Sequence, residues 1–142
     1  MNTTKKLVWG LSLVTLAGLL AIQAVPVERT NPPVRSAPRW DSPRTEALAR
    51  RACYDCHSNE TKWPAYARLA PVSWWVARHV RDGRRHLNFS EAPFREAEEA
   101  AGEVLEREMP LRSYTLAHPE ARLSREETRE LAAGLRRTFG MD

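Results

Sequence analysis

The sequence Cys53-Tyr54-Asp55-Cys56-His57 puts two thiols three residues apart, with an imidazole directly after the second. One helical turn carries both sulfurs and the histidine to the same side. In that arrangement two thiols can add across the two vinyl groups of one haem, and the imidazole then lies under the iron as an axial ligand. The spacing therefore predicts one covalently attached haem c, held at Cys53 and Cys56, with His57 as proximal iron ligand. A dithiol redox pair uses Cys-x-x-Cys too, but in a βαβ setting that the chain does not offer. A structural zinc site would want a second Cys or His cluster to complete four ligands, and none follows. These are the chain's two cysteines, too few and too close for a disulfide framework.

The other side of such an iron needs its own ligand. Met1, Met109, Met141, His79, His86 and His118 are the candidates. Met1 precedes the apolar N-terminal run and Met141 lies at the end of the chain. Met109 stands in Glu108-Met109-Pro110, where a helix stops and a turn begins, so it is the leading distal ligand. His118, before Pro119, is the runner-up. His79 and His86 lie among Arg78, Arg81, Arg84 and Arg85 and are expected at the surface or near haem propionates. Trp63, Trp74 and Trp75 suit either the core or a flat apolar wall for a porphyrin.

These residues need helices to place them. Asp41-Ser42-Pro43 is a capping residue followed by proline, and predicts a helix over 41–57. A second is expected over 73–81 with Gly83 as its stop, and a third from Ser90 to about Glu108, ended by Pro110. Ser124-Arg125-Glu126-Glu127 is a capping box opening a fourth helix that ends near Gly140. No segment alternates as a strand would, so the fold class is all-α: a helical domain around one haem.

Ahead of that domain, Lys5 and Lys6 precede an apolar run from Leu7 to Val25. About 19 residues of helix reach roughly 28 Å, nearly the thickness of a bilayer's hydrocarbon core. Residues 1–25 are read as a signal peptide or membrane anchor; a cut after Ala24 is conceivable, and retention is the preferred reading. With the lysines inside, the rest faces outward. Residues 26–43 hold Pro26, Pro32, Pro33, Pro38 and Pro43, a semi-stiff linker. Residues 44–142 form the haem-binding domain. At 142 residues the chain has room for one compact domain. Its net charge of +4 comes mostly from arginine and suits an acidic partner or anionic lipid, while no aromatic-interleaved basic stretch points to nucleic acid.

The stretch from Cys53 to Pro64 resembles the opening of the haem-binding domain family of bacterial c-type cytochromes. So do Ala70-Pro71-Val72-Ser73-Trp74, His86-Leu87-Asn88-Phe89-Ser90, Glu108-Met109-Pro110, Tyr114, and the run from His118 to Ser124. The resemblance spans about Thr45 to Leu135. It implies a cytochrome c-like helical domain, with Cys53, Cys56 and His57 as the haem site and Met109 at the usual methionine position. The expected function is mono-haem electron transfer on the periplasmic face of the inner membrane, with an unidentified redox partner and no catalytic residues. The alternative is a haem-based sensor or small peroxidase-like protein with a labile sixth ligand.

Overall fold

No strand occurs among the described residues, 2–140 of this computed structural model; seven α-helices do. The chain forms two compact units. One takes the chain up to Arg29 together with Trp63–Arg78; the other takes Thr30–Lys62 and the chain from His79 onward.

The first unit contains α1 (Thr3–Ile22), which has no buried residue and is long and apolar enough to cross a membrane. Trp63–Arg78 contributes a 3-10 turn, Ala65–Arg68, and the start of α4 (Val72–His86). Gln23, just past α1, clasps the backbone of Ala70: its Oε1 accepts the Ala70 N–H at 3.0 Å and its Nε2 donates to the Ala70 carbonyl at 3.1 Å. Arg29 donates to the Ala67 carbonyl at 3.0 Å.

The second unit holds the core. Ser42 caps α2 (Pro43–Ala52), accepting from the Thr45 amide, with Pro43 at the position where a missing N–H costs nothing. The helix stops at Cys53, and a single further turn, α3 (Tyr54–His57), follows. The expected helix over 41–57 is thus broken at the first cysteine. The second expected helix begins at Val72 and runs on to His86, because Gly83 is no stop but a place of close packing. Ser90 opens no helix: its Oγ accepts the Asn59 amide at 2.9 Å, and Pro93 disfavours helix in the residue before it. α5 is Ala97–Leu105, and it ends well before Pro110. Arg107 takes a left-handed conformation (φ 62°), its amide bonds to the Val104 carbonyl, and the Glu108 amide bonds back to Glu103. That is a Schellman cap built without glycine.

A short helix, α6 (Arg112–Ala117), and a 3-10 turn, Pro119–Ala121, lead to α7 (Arg125–Phe139). The capping box is present with both of its bonds, and Gly140 closes α7 in the left-handed conformation. α7 packs on α2 and α5. Where α2 meets it, a Cβ on Gly134 would collide with Thr45, so glycine sets the approach. Leu48, Tyr54, Phe89, Val104, Leu131 and Leu135 form the buried centre. The proline-rich stretch forms no helix before Pro43, and residues 30–36 are strapped along this unit. Asn31 donates to the Thr61 carbonyl, Asn59 donates to the Pro33 carbonyl, and the Arg35 and Ser36 amides share the Ser90 carbonyl.

Candidate haem site

The turn that carries the cysteines is closed by one carbonyl. Cys53 O accepts from the amides of Cys56 (3.1 Å) and His57 (2.9 Å), so both thiols and the imidazole are set by one backbone turn. The two residues between the cysteines anchor that turn in different directions. Tyr54 is buried, stacked on Phe89 at 5.5 Å between ring centroids, with the Arg50 guanidinium 4.4 Å from its own. Asp55 accepts from the Lys62 amide (2.9 Å) and from the Tyr114 hydroxyl (2.7 Å).

His57 is fixed from both its backbone and its ring. Its carbonyl accepts the Phe89 amide at 2.8 Å. Its Nδ1 lies 3.0 Å from the Leu87 carbonyl. A carbonyl can only accept, so Nδ1 carries the proton and Nε2 is left with a lone pair. Burial holds the His57 pKa below the usual histidine value, against the carbonyls of Leu87 and Gly83, which raise it. The ring is therefore neutral and ready to bind a metal through Nε2, with its orientation set by the bond on the other nitrogen.

α4 crosses close behind. A Cβ on Gly83 would sit 2.5 Å from the Cys56 carbonyl oxygen. Directly after the glycine, Arg84 ties down the loop that follows the motif, donating to the Ser58 carbonyl (2.7 Å), Thr61 Oγ1 (2.9 Å), Thr30 O (3.0 Å) and Asn31 Oδ1 (2.9 Å). This arginine holds two carbonyls and two side chains of the surrounding loops. The run from Leu87 to Ser90 completes the support, with Asn88 donating to Asn59 Oδ1 at 2.9 Å.

A cavity of about 480 Å³ opens on this turn. Cys53, Cys56, His57 and Met109 all line it, so four of the sequence-predicted residues come together. His79 and His86 line it as well; His86 is exposed, in keeping with its expected place at the surface, and its Nδ1 lies 2.6 Å from Glu96. His118 is not on its wall. That ring stacks on Tyr114 at 4.5 Å and lies 3.1 Å from Glu120. Met1 and Met141 lie outside the described residues. Trp74 and Trp75 are exposed, and the aromatic lining comes from Phe89 and Tyr114. Met109 is half-buried against the core, its amide on the Glu103 carbonyl at 3.1 Å.

Burial pushes the Cys53 thiol up to about 12, with Cys56 adding to it, and the Cys56 thiol up to about 11, with Asp55 adding to it. Both sulfurs are thiols facing a largely apolar space. Burial also pushes the Tyr114 phenol up, and its bond to Asp55 adds to the shift, so it remains a donor. The volume falls within the roughly 300–1,000 Å³ of preformed ligand pockets. Two thiols, a lone pair on a neutral imidazole and a thioether lining one largely apolar cavity are a donor set that fits a haem with two thioether links.

Sequence reasoning missed the Asp55–Tyr114 bond, the Leu87 carbonyl behind His57 and the work of Gly83. Only the last left a trace, as an isolated glycine inside a helical pattern. Compared with known proteins, the chain matches the family model described as haem-binding domain over residues 17–137. No curated protein and no solved structure matches it.

Proposed function

Because the chain belongs to the haem-binding domain family, we propose that it is a mono-haem c-type cytochrome that carries electrons at the outer face of the cytoplasmic membrane, and not an enzyme. The observation that carries this reading is the meeting of Cys53, Cys56, His57 and Met109 in one cavity. When bound, the haem supplies a one-electron iron couple, whose potential Met/His ligation raises. Cys53 and Cys56 would hold it by thioether bonds, and His57 Nε2 and Met109 would bind its iron. The Leu87 carbonyl fixes the imidazole, and the apolar part of the lining would limit water at the metal.

Retention of α1 as an anchor is supported by Gln23. A cut after Ala24 would remove the side chain that clasps Ala70. The family match also begins inside α1, at residue 17. A haem sensor or small peroxidase-like protein is the second reading, favoured by His79 and His86 on the cavity wall.

The test is a visible spectrum of oxidised and reduced protein made in cells that mature cytochromes c. The carrier reading expects haem that survives denaturation and a six-coordinate, low-spin iron with the long-wavelength band of iron–sulfur ligation. A five-coordinate, high-spin spectrum with rapid carbon monoxide binding would favour the second reading. A haem-free product would overturn both.

A further inference from the structure

The first unit carries a second apolar surface besides α1. Within ten residues Tyr66, Leu69, Val72, Trp74 and Trp75 are all exposed, Leu69 by 62%. Large apolar side chains are usually scattered singly over a surface; five together mark an interaction site. Resting on the membrane reading above, we infer that residues 66–75 lie in the headgroup boundary of the same bilayer that α1 crosses.

Three observations select lipid as the occupant. The first is depth. Gln23 follows the last residue of α1, so it stands where a spanning helix leaves the hydrocarbon, and its paired bonds fix Ala70 at that level. Leu69 and Val72 flank Ala70 and share its depth within one turn. The second is chemistry. Tryptophan and tyrosine bodies with a polar tip concentrate at the membrane–water boundary, and the patch holds Tyr66, Trp74 and Trp75. The third is charge. Residues 63–78 contain Arg68 and Arg78 and no carboxylate, which suits anionic headgroups. The first unit therefore meets the membrane twice, through a helix that spans it and a short aromatic segment that rests on it.

The test uses the full-length, haem-loaded protein in lipid nanodiscs of mixed zwitterionic and anionic phospholipid, one copy per disc. Single variants Leu13→Cys, Leu69→Cys and Arg129→Cys are reacted with a charged maleimide and with a lipid-soluble one. Leu13 lies within α1 and Arg129 on the exposed face of α7. Leu69 is exposed, so its substitution leaves the core intact. The expected result is a preference for the lipid-soluble reagent at positions 13 and 69 that exceeds position 129 by at least about tenfold, the factor that partition of one leucine-sized side chain supports. If position 13 shows the preference and position 69 behaves like 129, the docking is overturned and the anchor stands. If position 69 is slow to both reagents, protein covers it and the inference also fails. If position 13 behaves like 129, the membrane reading itself falls, and the inference with it.

Discussion

The two walls that would face the iron are built by opposite means. His57 is held by partners far away in sequence: Leu87 on its ring, Phe89 on its carbonyl, and Gly83 against the preceding residue. Met109 is held by its own neighbourhood, through the cap on α5 and an amide bond to Glu103. One long-range bond, Tyr114 to Asp55, joins the segment after Met109 to the cysteine turn. The histidine side is thus set by residues 83–89, far along the chain, and the backbone of the methionine side by one helix end, with the Met109 side chain resting on the core. The methionine side is accordingly where a ligand would exchange at small cost to the fold.

That contrast can be broken experimentally. Replacing both cysteines, Cys53→Ala with Cys56→Ala, is expected to abolish covalent haem altogether, read as loss of haem staining after denaturing electrophoresis. Met109→Ala is expected to keep the haem, lose the long-wavelength band and lower the potential, whereas His118→Ala leaves both as they were. A band that survives Met109→Ala removes the thioether from the account. Gly83→Ala probes the histidine wall. The added methyl meets backbone, which cannot swing aside, so about 3 kcal/mol of stability is expected to go, the upper end for overpacking; a denaturant midpoint measures it. Tyr114→Phe removes the bond to Asp55 and is expected to cost about 1.5 kcal/mol, the low end for a bond to a charged group. Its signature is a weakened iron–sulfur band. Ser124→Ala, distant from both walls, should cost about 1 kcal/mol through the lost cap and leave the spectrum alone. A spectral change there would mean the walls are coupled through α7.

The same contrast explains what was legible in the sequence. Patterns written in adjacent residues could be read directly: the turn that brings Cys53, Cys56 and His57 together, the capping box at Ser124, the apolar α1. Interactions that depend on distant partners could not. Nothing local marks Tyr114 as the partner of Asp55, or Leu87 as the acceptor for His57. The end of α5 was misplaced because its left-handed cap uses Arg107, where glycine is the usual signal. Its start was misplaced because Ser90 resembles a cap and serves instead as an acceptor for Asn59. The tryptophans were assigned by chemistry alone, and Trp74 and Trp75 turned out exposed.

The strap of residues 30–36 has a mechanical side. A pull arriving along the chain from residue 29 meets the second unit first at Thr30 and Asn31, which Arg84 and Thr61 grip, and next at Pro33, Arg35 and Ser36. These bonds must give way before any force reaches α2. The helix that ends at Cys53 is thereby relieved of tension, much as a clamp on a cable spares the solder joint beyond it.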